Sequence, residues 1–365
     1  MSQPELKPGD LTATLITRHF NPAWYAAVMG TAVVPLALTF TGADWIDWAA
    51  RIMIPLASLM FLAALAPWLI KIAVHRDDSN KDFNHPVASS FLPTMPIALL
   101  IICLDLLKFG HLFFSDKMSH NLAFWLWVAG SIGIYWLGFV VIMHVFRNDC
   151  IKVGHANFGW LIPPVSKLLI PVAGFELAAI FPEHHDVLVG VSVASLGVGF
   201  FLFVFVGSAV YHRYLFEDLP MEKFAATFFI GIAPPAIISV ALFKLIHLLG
   251  HHDVLGLTTA NFVPLAKFLI VMHWGLAAWW FVMALIMITY YRFKRSLPFA
   301  LSWWAFTFPS GAMAISSGVA WQVSHFSFIR IFYNGVTIYL LAVWLLVFAF
   351  TLRGVISRKL FMPAH

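Results

Sequence analysis

The stretch WWAFTFPSGAMAISSG, Trp303 to Gly318, sets a proline in the middle of what otherwise reads as a membrane-spanning helix. A phenylalanine, Phe308, stands directly before Pro309, and small residues follow it. A proline inside a helix removes one N–H, frees the carbonyl four residues earlier and bends the axis, a disturbance of about 3 kcal/mol in a soluble helix. In lipid the freed group needs a partner, so such backbone is tolerated where it faces protein or a watery cavity.

The rest of the chain has the same character. Hydrophobic residues are 61% of it and charged residues 11%, against about 45–50% and about 25% in soluble domains. Apolar runs of about 20 residues, each enough to cross a hydrocarbon core as a helix, recur from end to end and leave no soluble domain over. Hydropathy with breaks at charged and Gly/Pro/His-rich loops gives ten spans: 20–40, 47–73, 87–107, 121–146, 158–180, 187–212, 224–248, 260–291, 299–322 and 331–352. The expectation is an all-α integral membrane protein, with an N-terminal segment 1–19, a membrane domain 20–355 and a tail 356–365. Residues 1–19 carry Glu5, Lys7, Asp10 and Arg18 and no signal-like apolar core, so the first span is expected to be retained.

Charge sets the topology. With the N-terminus inside, the inner ends hold Lys7, Arg18, Lys71, Arg76, Lys81, Arg147, Lys152, Arg213, Lys223, Arg292, Lys294, Arg295, Arg353, Arg358 and Lys359. The outer ends hold Arg51, Lys108, Lys117, Lys244 and Arg330, together with the acids Asp44, Asp47, Asp116, Glu183, Asp186 and Asp253. The positive-inside rule then puts both termini in the cytoplasm; the chain is expected in the plasma membrane of a prokaryote. The net charge of +5 is spread over loops, without a basic patch or a nucleic-acid motif. Cys103 lies in a span and Cys150 in a loop, which suggests neither a disulfide nor a metal site.

Prolines mark the odd spans: Pro35 in the first, Pro93 and Pro96 in the third, Pro163, Pro164 and Pro171 in the fifth, Pro234 and Pro235 in the seventh, Pro309 in the ninth. Their spacing is that of one helical hairpin, so the chain reads as five copies of a two-helix unit. Kinked odd spans belong together inside, ringed by straighter even spans. Pro55, Pro67 and Pro264 in even spans are exceptions, and membrane helices carry Pro and Gly more often than soluble ones in any case.

HFNPAWYAAVMGTAVVPLAL at the first span, HPVASSFLPT at the third, APP in the seventh and SWWAFTFP in the ninth resemble the tellurite-resistance/dicarboxylate transporter family. That family takes in bacterial tellurite-resistance proteins, malate and sulfite exporters and the plant slow anion channels. The likeness spans residues 18 to 355 and rests on the order and spacing of the motifs together. It implies ten helices in five quasi-symmetric hairpins, an inner five-helix pore, a homotrimer with one pore per subunit, and passage of small anions such as chloride, nitrate, sulfite, tellurite or malate. It implies no cofactor, no enzymatic activity and no nucleic-acid partner.

Phe308 matches the family's gating phenylalanine by its place in TFP. It lies about ten residues, roughly 15 Å, into the ninth span, and the following proline pushes it from regular α geometry. Pointed inward, its ring would plug a narrow pore, and Gly311, Ala312, Ala314, Ser316, Ser317 and Gly318 would leave the outer vestibule wide. The other reading is that Phe308 is one of 36 phenylalanines and that small residues serve helix contact. Pro35, Pro96, Pro164, Pro171, Pro234 and Pro309 are the expected pore kinks.

Lys167 shares a helical face with Pro163, Pro171 and Gly174. A lysine in a span costs about 2.5–3.5 kcal/mol and usually faces a cavity or partner. It is read here as attracting anions at the inner pore mouth, with a carbonyl partner or snorkelling as the structural alternatives. Lys267 is expected to snorkel or to serve a subunit contact. Glu176 is the clearest buried carboxylate, about half a turn from Lys167, and no carboxylate pair or proton relay stands out, which favours passive conduction over coupled transport. Sixteen histidines raise a rival, a haem- or quinone-linked membrane oxidoreductase. His144, His212 and His273 fall in even spans and His184, His185, His251 and His252 in outer loops, without the facing pairs that haem requires.

Overall fold

A computed structural model describes residues 11–85, 88–149, 151–250, 252 and 254–362. Glu5, Lys7, Asp10, Cys150, His251, Asp253 and the Pro86–Val87 pair of the HPVASSFLPT motif lie outside the described residues. Twelve α-helices are formed: α1 (Ala13–Arg18), α2 (Trp24–Leu38), α3 (Ile46–Val74), α4 (Arg76–Asn84), α5 (Thr94–Phe109), α6 (Asp116–Phe146), α7 (Ile162–Ile180), α8 (His185–Phe216), α9 (Ala233–Leu249), α10 (Thr259–Lys294), α11 (Phe308–Ser324) and α12 (Ser327–Ile356). No strand is present among the described residues beyond an isolated bridge between Val254 and Leu257.

Among the described residues, eight helical segments are long and apolar enough to cross a membrane, where hydropathy leads one to expect ten. The difference lies in the first and ninth spans. Helix α2 is apolar but only 15 residues long, and α11 has 17, because each begins late: Asn21–Ala23 form a turn ahead of α2, and Leu301–Phe306 form a 3-10 turn ahead of α11.

Proline opens α11 and two other inner helices. Pro164, Pro234, Pro235 and Pro309 stand in the first turn of their α-helices, where a missing N–H leaves no ladder bond unmade and the fixed φ suits the helix. The backbone before each is 3-10, over Phe158–Leu161, Glu222–Ile232 and Leu301–Phe306. Pro93 precedes α5, and Pro96 is its third residue. Pro35 and Pro171 lie inside α2 and α7. The odd spans are therefore mostly broken at the start of the α segment, and only two carry a proline within a continuous helix.

The odd and even spans differ sharply in burial. The most apolar windows of the segments containing α5, α7 and α9 are 78%, 89% and 83% buried, whereas α3, α6, α8, α10 and α12 reach 28% to 33%. Helices α2 and α11 are likewise buried over most of their length. The two classes alternate along the chain, and each inner helix packs on the outer helix that follows it, α2 on α3 through to α11 on α12. The inner helices also touch in a closed cycle, α2 to α5, α7, α9, α11 and back to α2. Outward the surface is apolar, with Trp48, Trp125, Phe139, Phe205, Phe268 and Ile338 exposed, as lipid contact demands.

Aromatic donors tie the outer helices to the inner ones. Trp127 donates to the Ile170 carbonyl at 2.9 Å, Trp280 to that of Phe228 at 2.9 Å and Tyr333 to that of Ala37 at 2.9 Å. Trp344 donates to Thr31 Oγ1 at 3.2 Å and Trp274 to Ser317 Oγ at 3.0 Å. Phe228 belongs to a 3-10 stretch and Ala37 to the last turn of α2, where carbonyls lack an intrahelical donor. The indole and phenol groups thus supply what broken inner helices leave open.

Candidate functional site

One stripe of each inner helix faces the common axis. On α2 it runs Met29, Val33, Leu36, Phe40; on α5 Ile97, Ile101, Leu104, Lys108; on α7 Val165, Leu169, Val172, Glu176; on α9 Ala233, Ile237, Val240, Lys244; on α11 Phe308, Ala312, Ile315, Val319. The step is 4, 3, 4 on every helix, the spacing that keeps side chains on one face. The repetition across five helices is the fivefold likeness of the hairpins expressed at the axis.

These stripes line three chambers. A vestibule of about 960 Å³ opens at the C-terminal ends of the inner helices. A middle chamber of about 40 Å³ lies further in, and a second chamber of about 40 Å³ sits at the N-terminal ends. All five inner helices contribute to each chamber. The vestibule and the middle chamber share a ring of aliphatic side chains, Leu36, Leu104, Val172, Val240 and Ile315.

The two small chambers share a single lining residue, Phe308. It is 7% exposed and is the first residue of α11. The helix it opens is fixed by the Gly311 N–H bonding to the Thr307 carbonyl at 2.9 Å and by Thr307 Oγ1 donating to the Trp304 carbonyl at 2.8 Å. Hydrogen bonds from Thr307 and Gly311 thus flank the backbone that carries its ring. No ionisable side chain lines either small chamber; Thr94, Ser302 and backbone are the polar contributors among the described residues.

Charge gathers in the vestibule instead. Lys108, Glu176 and Lys244 lie one turn outward of Leu104, Val172 and Val240, and the ammonium of Lys244 donates to the carboxylate of Glu176 in an ion pair. His120, His247 and His325 line the same space.

The sequence matches the SLAC1 voltage-dependent anion channel family over residues 19–352. The chain belongs to that family. Among relatives of this anion channel family, an uncharacterized transporter of Methanocaldococcus jannaschii is 31% identical over 341 residues, covering 91% of each chain. The malic acid transport protein of Schizosaccharomyces pombe is 22% identical across 80% of this chain and 68% of its own length. The sulfite efflux pump SSU1 of Arthroderma benhamiae is 22% identical across 94% and 92% respectively. The chain is thus a multi-pass membrane protein of an anion-transport family, and its relatives carry the names of transporters.

Two groups of residues expected at the pore take other places than the three chamber linings. Lys167 lines none of the three chambers; its Nζ lies 2.5 Å from where a side chain on Gly138 of α6 would begin. The face it shares with Gly174 is turned toward the outer helices, since Gly174 lies against Ser192 and Trp127. Proline positions misled the sequence reading, because the face bearing them is the packing face of α7 and not the lining one. Similarly, of the small residues after Pro309 only Ala312 lines a chamber. A side chain begun at Gly311 would meet Val33 at 2.5 Å and one at Gly318 would meet Phe40 at 2.3 Å, while Ser317 accepts from Trp274. They bring α11 close to α2 and α10, the helix-contact role.

The vestibule cations were missed, although a signal existed: Lys244 continues the 3-and-4 series Ile237, Val240, Lys244, His247. Asp105 was missed too. It is fully buried in α5, and neither carboxylate oxygen has a hydrogen-bond partner among the described residues. Of the intramembrane histidines, His144 and His273 bond to carbonyls one turn back, of Val140 and Leu269, and the His212 ring contacts Phe216. His185 lies tilted against His252 with ring centroids 4.7 Å apart, and His184 stacks on Phe124 at 5.1 Å. No group of three His, Cys, Asp or Glu side chains suited to a metal ion occurs among the described residues.

Proposed function

We propose that the five inner helices form the conduction path of a passive anion channel or facilitative exporter, gated by Phe308. The observation that carries this reading is the placement of one aromatic ring as the sole side chain shared by two otherwise separate axial chambers. Such a ring, apolar and set between the two chambers, closes the axis to a hydrated ion. Ten spans in five hairpins follow if the turn before α2 and the 3-10 turn before α11 complete the first and ninth crossings. Pro35, Pro96, Pro164, Pro171, Pro234 and Pro309 then set the bends and starts that aim the lining stripes.

Basic residues concentrate at the ends holding α1, α4 and the chain termini, so both termini are assigned to the cytoplasm and the vestibule to the outside. The cargo is a small carboxylate or oxyanion, the class to which the malic acid and sulfite of the relatives' names belong. Assembly as a homotrimer and residence in a prokaryotic plasma membrane rest on the family likeness. Purified wild-type protein and Phe308→Ala in liposomes, with anions exchanged across the bilayer, test the reading. Anion current with an anion-dependent reversal potential supports it, and equal, negligible flux from both proteins refutes it.

A further inference from the structure

One turn outside the aliphatic ring, each inner helix places one residue at the mouth: Phe40, Lys108, Glu176, Lys244 and Val319. Three of the five are charged, and Glu176 is the one carboxylate in the vestibule lining. Its carboxylate is held by the Lys244 ammonium, with the two side chains about equally accessible, 27% and 30% exposed. This is not a buried structural pair. It borders a chamber of about 960 Å³, so both partners are reachable by a solute in the vestibule.

We propose that Lys244, with Lys108 lining the same vestibule from α5, forms a binding site for a small carboxylate or oxyanion at the vestibule mouth, and that Glu176 occupies this site as a tethered competitor. A carboxylate on Lys244 is what an incoming carboxylate or oxyanion would replace, since both present anionic oxygens to the same ammonium. The exchange conserves the number of contacts to Lys244 and frees Glu176 to turn into the vestibule. An anion drawn to this ring stands directly above Val240 and Leu104, at the entrance to the narrow segment. The competitor sets occupancy low, which favours release of an anion that has just passed; a conduction site must bind weakly enough to let go.

The inference rests on the inner helices conducting anions, so it is tested in a Phe308→Ala background whose current is established first. At a single pH, conductance is measured against anion concentration for Glu176→Gln, Lys244→Gln and the double variant. Glu176→Gln lowers the half-saturating concentration roughly fivefold, an effect that shrinks as ionic strength rises. Lys244→Gln raises it. The double variant keeps the net charge of the parent mouth yet has lost the ammonium, and it saturates more weakly than the parent. If the double variant matches the parent, only the summed field matters and the site does not exist. Unchanged saturation in Glu176→Gln also overturns the competitor role while leaving the conduction path intact. Absence of current in the Phe308→Ala parent itself is failure of the channel reading, a separate result. Size-exclusion profiles matching the parent establish that the variants fold.

Discussion

Replacing Phe308 by alanine removes the one side chain that separates the two small axial chambers. For wild-type protein to conduct, that ring must leave its seat, and fully burying a phenylalanine is worth about 1.5–3 kcal/mol. At about 1.4 kcal/mol per factor of ten, holding the ring in place keeps the open population down roughly ten- to a hundredfold. Phe308→Ala therefore raises anion conductance per molecule by that factor. The stability cost of Phe→Ala in a packed core is about 3–5 kcal/mol. Here it falls at the low end, because the ring borders two chambers of about 40 Å³ and lacks partner atoms on those sides. The assay is planar-bilayer current normalised to reconstituted protein, with Phe306→Ala as the comparison. Phe306 is equally buried, packs on Phe229 and Trp303 and lines neither small chamber. An unchanged current in Phe308→Ala, or the same increase in Phe306→Ala, refutes the gate: the first shows no plug, the second general loosening.

Four further outcomes follow from particular contacts. Gly311→Ala sets a methyl 2.5 Å from Val33 Cγ1, and a β-branched neighbour has no rotamer to give, so stability falls by about 1–3 kcal/mol in thermal unfolding; an unchanged Tm means that α11 and α2 are less closely packed. Lys167→Met leaves anion selectivity unchanged in reversal-potential measurements, since the ammonium lies against Gly138, and a shift in selectivity would return Lys167 to the conduction path. Asp105→Leu raises the Tm, because a buried carboxyl without a hydrogen-bond partner is replaced by an apolar group of similar size; a lower Tm reveals a partner. At the terminal side, hydrogen bonds from Lys81 and Arg18 hold the Asp78 carboxyl down to about 2. A depressed carboxylate stabilises above its unfolded value near 3.8 and loses that contribution as pH falls toward 2. Protection of the Ala13–Arg18 amides, taken relative to their intrinsic exchange rates at each pH, accordingly falls across that window in wild type, and in Asp78→Asn is low throughout.

Legibility in the sequence was uneven, for physical reasons. Span positions and the split into buried and lipid-facing helices follow from hydropathy and proline placement, because bilayer thickness and backbone satisfaction are strong constraints. Phe308 drew attention through its motif, and the structure sets it between the two small chambers, whereas its neighbours' spacing gave no such cue. The lining stripes were not read, since apolar residues cover every face of an inner helix and periodicity carries no contrast there. Lys167 was assigned by the company of prolines, yet prolines act through backbone and say little about which face a side chain takes. Glu176 and Lys244 lie 68 positions apart, and nothing local joins them.

The chambers also bear on how voltage acts. From Met29 to Leu36 the axis runs seven residues, about 10 Å, through two chambers of about 40 Å³ each. A water needs roughly 10–15 Å³ of such space, so each holds only a few molecules, and the membrane field falls mainly across this dry segment. No ionisable side chain among the described residues lines it, whereas Lys108, Glu176 and Lys244 stand in the wide vestibule where little of the field drops. A potential of 100 mV acts with about 2.3 kcal/mol per elementary charge, so the charge that feels it is the anion itself. Opening of Phe308 then carries no gating charge of its own. With symmetric anion, Phe308→Ala currents should be close to linear in voltage, and wild-type open probability should change by no more than the one or two charges of the occupying anion allow. A voltage dependence steeper than that in wild type would require a protein charge that moves within the field, and Asp105 of α5 and Lys167 of α7, buried in the inner helices outside the chamber linings, are where it would be sought.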